Sequence, residues 1–255
     1  GEYHYCYCTK CCHFSHVIEE ALEHNVHLET SSSFDIDIIR ILEAKGKINK
    51  NTILIQNGHK TEDYLNKIVG LMEDGFTNVI PVLDSKQELD RFYSKTKGDL
   101  TIGIRMAINE EPQSAYYTSR LGIRSAEILD FYKSKIAKKK RVKVKMLHFF
   151  VDSGIKDNLY YWGEFRKALK LFAELKKICP TLDSINLGGG LPIRNNLGFE
   201  YDYKYMINEL VTNIKEVCQE EGIEEPDIYT EFGKYTVGES GAIIFSVLEQ
   251  KQQIF

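Results

Sequence analysis

Three short stretches of this chain carry side chains or backbone suited to chemistry. In YHYCYCTKCCHF, residues 3 to 14, Lys10 follows two alternating cysteines and precedes two more and a histidine. A lysine amine attacks a carbonyl only when neutral, which calls for surroundings that depress its pKa. INLGGGLP contains Gly188, Gly189 and Gly190, whose unhindered backbone can approach a ligand and aim successive N–H groups at an anion. TEFGK supplies a carboxylate, Glu231. Zinc is the first alternative for the cysteine run. Structural zinc usually takes two ligand pairs roughly a dozen or more residues apart. Here Cys6, Cys8, Cys11, Cys12 and His13 form one cluster, while Cys179 and Cys218 stand singly on predicted helices. Period-two geometry puts Cys6, Cys8 and Lys10 in a line on one strand face. No metal is expected, and small core residues are the expected role of most of these thiols.

Composition narrows the classes of function. The chain has 255 residues, 43% hydrophobic and 27% charged, with a net charge of −4, which suits a globular protein and offers no basic field for nucleic acid. The basic run KSKIAKKKRVKVK (133–145) reads as a solvated helix end running into a strand. No apolar stretch reaches the ~18 residues of a membrane span, and no signal peptide opens the chain. Six cysteines without secretory context point to free thiols in a reducing cytoplasm. No nucleic-acid or membrane partner is therefore expected.

The residues that must position Lys10, the glycines and Glu231 fall into one repeated pattern. Short apolar runs at YHYCYC (3–8), HLET (27–30), TILIQN (52–57), NVIPVLD (78–84), LTIGIRMA (100–107), VKVKMLHFFV (142–151), SINLGGG (184–190) and DIYTEFG (227–233) alternate with helical stripes. Apolar runs without polar alternation suit strands buried on both faces. Eight strand–helix units in one chain predict an α/β fold, a (β/α)8 barrel spanning 1–255 as one domain. Pro81 lacks a ladder donor, so a bulge is expected in the fourth strand.

Active sites of such barrels sit at the carboxyl ends of the strands. Polar or special residues mark those ends here: Lys10, Glu29, Asn57, Asp84, Arg105, Ser153, the triple glycine and Glu231. The loop after the seventh strand is a recurrent phosphate site in this fold, which raises the weight of the glycines. A phosphate cradle, a buried lysine and a carboxylate on the last strand suggest pyridoxal 5′-phosphate (PLP). Lys10 would hold its aldehyde as a Schiff base. Glu231 would keep the pyridine nitrogen protonated, so that the ring accepts electrons.

The motifs, taken in order, resemble the barrel domain of the fold-type III PLP decarboxylases, the ornithine, diaminopimelate and biosynthetic arginine decarboxylase group. YCYCTK resembles the strand-one segment of the Schiff-base lysine. LETSSSFDI resembles an acidic-Ala-Ser-x-x-Glu segment, with Glu29 and Asp35 in the acidic positions. IQNGHK, VLDSKQEL, TSRLGI, INLGGGLP and EFGKYTV resemble five further segments of that family. With HFF, LDSINLGGG and VGESG, the run is most similar to arginine decarboxylases. The resemblance implies an alanine racemase-like barrel in a carboxy-lyase that converts L-arginine to agmatine and CO2 in polyamine (spermidine) biosynthesis. It implies catalytic roles for Lys10 and Glu231. Cofactor contacts are implied for Glu29, Arg120, Phe150, Ser153, Gly188, Gly189, Gly190, Gly233 and Lys234. Cys11, Cys12 and His13 would line the rim beside the lysine. Asn57, Asp84 and Arg105 either support the site from behind or are polar residues of the barrel core.

Three departures from the family pattern bear on these expectations. Phe150 stands where the family places a histidine over the ring, with His148 two residues earlier. Phe232 and Lys234 replace a proline and a phosphate-holding arginine, and lysine lacks the bidentate fork of arginine. The family's β-rich domain, which carries the substrate-binding acid, has no counterpart in the sequence, so a fragment of a longer enzyme is expected, homodimeric or larger when entire. Two other readings stay open. One is an ornithine or diaminopimelate decarboxylase or an amino-acid racemase. The other is a stand-alone barrel that carries PLP without turnover.

Overall fold

The computed structural model describes residues 1–109, 121–241, 244 and 246–251. Its strands are β1 (Tyr3–Cys8), β2 (His27–Thr30), β3 (Leu54–Gln56), β4 (Val79–Leu83), β5 (Leu100–Ala107), β6 (Ile123–Arg124), β7 (Val142–His148), β8 (Ser184–Asn186) and β9 (Asp227–Thr230). The helices are α1 (Ser15–Leu22), α2 (Ser33–Ala44), α3 (Glu62–Glu73), α4 (Lys86–Lys95), α5 (Ser125–Phe131), α6 (Leu159–Ile178), α7 (Tyr203–Glu221) and α8 (Gly233–Val237). Eight strands pair in parallel around a closed ring, β1-β2-β3-β4-β5-β7-β8-β9, shut where β9 meets β1. β6 only extends the end of β5, with Ile123 opposite Met106. The expected barrel is therefore the fold, and the sixth to eighth strands read from the sequence are β7, β8 and β9. Among the described residues no helix is long and apolar enough to cross a membrane.

The two faces of the sheet bury different cores. Outward residues such as Leu28, Leu54, Ile102, Ile104, Leu147 and Ile185 pack against Ile36, Ile39, Leu65, Phe92, Phe165 and Ile214 of the helices. Each such side chain contributes about 1.5–3 kcal/mol when fully buried. Inward residues Cys6, Ile55, Ile80, Val82, Met146 and Tyr229 fill the lower barrel. Helix starts follow local chemistry. Asp35 caps α2 by accepting the Ser32 N–H at 2.9 Å, and Thr61, Asn158 and Asp202 accept the backbone N–H groups of Tyr64, Tyr161 and Tyr205. The basic run behaves as expected. Lys133, Lys135, Lys138 and Lys140 are solvated, and Lys143 and Lys145 pair with Asp99 and Asp183.

Two expectations are corrected. β4 runs through Pro81 in register, opposite Gln56, and the irregularity lies instead between Ile102 and Gly103 of β5. Crowding inside the barrel explains the glycine there, since a Cβ on Gly103 would lie 2.8 Å from Met146 Cγ and 3.0 Å from Val82 Cγ2. The strands are also shorter than the apolar runs. β7 ends at His148 and β8 at Asn186, so Phe150 and the three glycines belong to loops beyond the strand ends.

Candidate active site

Two residues beyond the apolar inner core, on the same strand face, the barrel turns polar. Ile55 is succeeded by Asn57, Gly103 by Arg105, Met146 by His148 and Tyr229 by Glu231. These groups, with Glu29 and Asn186, are all buried. The Asn57 amide donates to Glu29 Oε1 and to Glu231 Oε2, each at 2.9 Å, and Asn186 donates to Glu231 Oε1 at 2.7 Å. Asn186 also accepts the Gly188 N–H at 2.8 Å, which joins the carboxylate to the glycine loop. Burial and the Glu29 charge push Glu231 up to about 7, against the two amide bonds and the Lys10 charge, which pull it down. Glu231 thus sits near the balance point for sharing a proton with a basic nitrogen placed above it.

Above this floor opens a cavity of about 620 Å³ lined by Lys10, Cys8, Cys11, Asn57, Arg105, His148, Phe150, Asp152, Ser153, Gly189, Gly190, Glu231 and Lys234, among others. Lys10 rides on a 3₁₀ turn, Thr9–Cys11, directly after β1. The Thr9 hydroxyl anchors that turn by donating to the Glu29 carbonyl at 3.0 Å. The expected buried, pKa-depressed lysine is corrected here. Lys10 is exposed at the cavity mouth, and the charge of Glu29, aided by Cys8, Glu231 and Cys11, holds its ammonium above the usual lysine range. Two carboxylates within reach outweigh the desolvation that would have lowered it.

His148 is buried, and burial together with the charges of Arg105, Lys10 and Lys60 keeps its imidazole neutral. Among the described residues, neither of its ring nitrogens has a hydrogen-bond partner, nor does the buried Ser153 Oγ. The loop after β8 needs its glycines. Gly190 has φ +96°, and a Cβ there would lie 2.9 Å from Gly154 Cα. A Cβ on Gly189 would lie 2.8 Å from the Glu231 carbonyl oxygen. Phe150 leans over Gly188, its ring centroid 5.5 Å from Arg105 Cζ.

The structure brings Lys10, Phe150, Ser153, Gly189, Gly190, Glu231 and Lys234 to one cavity. Other expected contacts lie elsewhere. Glu29 sits behind Asn57, and Gly188 turns the backbone beneath Phe150. Gly233 packs behind the Lys10 turn, where a Cβ would lie 2.6 Å from Cys8 Cβ. Arg120 lies outside the described residues. Cys12 and His13 leave the rim, the former's carbonyl accepting from Tyr7 and the latter's ring sitting 3.1 Å from Asp35. Asn57 and Arg105 line the cavity, whereas Asp84 braces a neighbouring loop by accepting the Gly122 N–H at 2.9 Å. Sequence reasoning passed over Asn186, and it treated His148 only as the neighbour of Phe150. Their signal was period two, since each lies two residues before a residue already singled out. Among the described residues, His59, Asp84 and Glu88 could converge on an ion, but the Lys60 ammonium already sits 3.4 Å from Glu88.

An unpartnered hydroxyl beside a glycine loop, cationic Lys10 and Lys234, and a carboxyl anchored by two amides suit a phosphorylated, nitrogen-containing aromatic aldehyde. Comparison with known proteins agrees. A family model described as "Pyridoxal-dependent decarboxylase, pyridoxal binding domain" matches residues 1–238. The chain belongs to this family. Its cofactor is PLP. A biosynthetic arginine decarboxylase of Prochlorococcus marinus (strain MIT 9215) is 27% identical over 261 residues, covering 94% of this chain and 39% of the relative. The crystal structure of a biosynthetic arginine decarboxylase from Campylobacter jejuni superposes with a TM-score of 0.73 at 22% identity, over 92% of this chain and 40% of that one. Diaminopimelate decarboxylase from Helicobacter pylori, complexed with L-lysine, gives 0.76 at 17% identity, over 94% of this chain and 59% of that one. At such identities the structural likeness speaks for the fold. The pyridoxal-binding barrel thus spans about two fifths of the length of its curated relative.

Proposed function

We propose that this barrel is the cofactor-binding part of a PLP-dependent decarboxylase acting on a basic amino acid, with L-arginine as substrate and agmatine and CO2 as products. The observation that carries the reading is the anchored Glu231 carboxyl on the floor of a cavity with Lys10 at its mouth. Arginine is favoured over ornithine, lysine and diaminopimelate by the arginine decarboxylases among the relatives.

When bound, PLP supplies an aldehyde for the substrate amine and a ring that takes up the electron pair left as the carboxylate departs. In this chain Lys10 would offer the amine that holds the aldehyde between turnovers, after losing the proton that Glu29 helps it keep. Glu231 would hold a proton at the ring nitrogen, oriented by Asn57 and Asn186. Ser153 Oγ, the backbone of Gly189 and Gly190, and Lys234 would bind the phosphate, the lysine as a point charge. Phe150 would cover one ring face through its π-system and exclude water there. Glu29 would act through Asn57 on Glu231 and by its charge on Lys10.

The test is CO2 release by the full-length gene product loaded with PLP, offered arginine, ornithine, lysine and diaminopimelate in turn. Arginine should give the highest kcat/KM. Preference for another of the four would overturn the substrate assignment, and PLP binding without CO2 release would favour a cofactor carrier.

A further inference from the structure

The cysteines beside Lys10 are set in a C-x-x-C spacing, Cys8-Thr9-Lys10-Cys11, with the lysine inside the loop. The 3₁₀ turn brings positions three residues apart onto one side of the chain. Both side chains crowd the same point, since a Cβ on Gly233 would lie 2.6 Å from Cys8 Cβ and 2.7 Å from Cys11 Sγ. A glycine at 233 leaves free the space against which both cysteine side chains pack. The pair is asymmetric: Cys8 is buried and Cys11 is exposed in the cavity mouth.

We propose that Cys8 and Cys11 form a redox-active dithiol that closes to a disulfide around Lys10 and changes the reactivity of its amine. The chemistry of the pair suits the division of labour. The neighbouring Cys8 thiol, with the charges of Lys10 and Lys234, draws Cys11 down to about 7, against burial and Glu29. Cys8 is pushed up by the Cys11 sulfur beside it and by burial. Cys11 is the attacking sulfur and Cys8 the resolving one.

The oxidant is a low-molecular-weight disulfide, RSSR. The Cys11 thiolate attacks one sulfur, forming a mixed disulfide and expelling RS⁻. Cys8 gives up its proton, attacks the Cys11 sulfur, and expels the second RS⁻. The two cysteines lose two electrons, RSSR gains them, and the two thiol protons end on two RSH. Closure also removes the Cys11 thiolate charge, one of the negative charges that help hold Lys10 as an ammonium.

The test treats the full-length protein with glutathione disulfide and maps cysteine linkages by peptide mass spectrometry. A Cys8–Cys11 disulfide is expected, reversed by dithiothreitol and unaffected by Cys12→Ser. Cys11→Ser should leave Cys8 unmodified. Amine labelling with an N-hydroxysuccinimide ester, which needs no PLP chemistry, then reads Lys10. Its labelling rate at fixed pH should rise about threefold or more on closure, as loss of neighbouring negative charge implies, and should not change in Cys11→Ser. Linkage through Cys12, a stable glutathione adduct on Cys11, no modification, or closure with Lys10 labelling unchanged would each overturn the proposal.

Discussion

Lys10 and Glu231 line one cavity but are tuned in an unexpected sense: Glu29 keeps the lysine charged, while burial draws the carboxyl up to about 7. Added PLP should give the visible absorbance of cofactor joined to a protein amine, and Lys10→Ala should abolish it with the circular-dichroism spectrum intact. Persistence of the absorbance in that variant would remove Lys10 from the site. Glu231→Gln keeps a hydrogen-bonding amide but no charge. In the full-length enzyme it should cost at least ~10²-fold in kcat, about 2.7 kcal/mol of transition-state stabilisation. The cofactor absorbance should largely survive, because Lys10 and the phosphate cradle are untouched. Near-normal turnover would exclude Glu231 from the chemistry.

At the scale of elements, the loop after β8 depends on glycines where a side chain would collide with neighbouring backbone. Gly190 has φ +96° and packs against Gly154, so Gly190→Ala strains the backbone and pushes the loop from the Ser153 hydroxyl. PLP affinity should fall at least ~10-fold, about 1.4 kcal/mol, by spectroscopic titration. Gly198, in an open loop, meets nothing closer than 3.6 Å at its Cβ position. Gly198→Ala should leave the titration unchanged, and an equal loss there would show that general destabilisation is being measured. The turn after β1 disperses its sulfur and nitrogen groups among separate partners: Cys6 joins the inner core, Cys8 and Cys11 meet at Gly233, and His13 turns to Asp35. Elemental analysis of protein purified without chelator should find less than stoichiometric zinc. About one zinc per chain, lost in Cys11→Ser, would contradict this.

For the whole molecule, a buried carboxyl with a raised pKa makes folding depend on pH. The unfolded Glu231 ionises near 4.5 and the folded one near 7, so between these values the native state binds more protons. The contribution of this group to stability is present below about 4.5 and is lost as pH rises to about 7. Urea denaturation of cofactor-free protein should show a fall in stability over that window that is shallower in Glu231→Gln. Identical pH profiles for the two would contradict the raised pKa. PLP binding at 100 times its Kd should return about 2.7 kcal/mol to the native state, read as a higher Tm.

The sequence by itself determined the barrel and the approximate places of its strands. Burial on both faces forces continuous apolar runs such as LTIGIRMA, and that signal is local. It also brought out Lys10, the glycines and Glu231, because strand ends in this fold are where polar groups collect. The tertiary structure decided which of those groups meet. Asn186 joins Glu231 across two neighbouring strands 45 residues apart, and Asn57 reaches it from 174 residues away. No local pattern encodes such distances. Strand ends were overrun for the same reason: FFV and GGG continue the composition of their strands, but pairing stops at His148 and Asn186. The protonation of Lys10 was out of reach of sequence altogether, since it depends on Glu29 standing one strand away, where charge at close range outweighs desolvation.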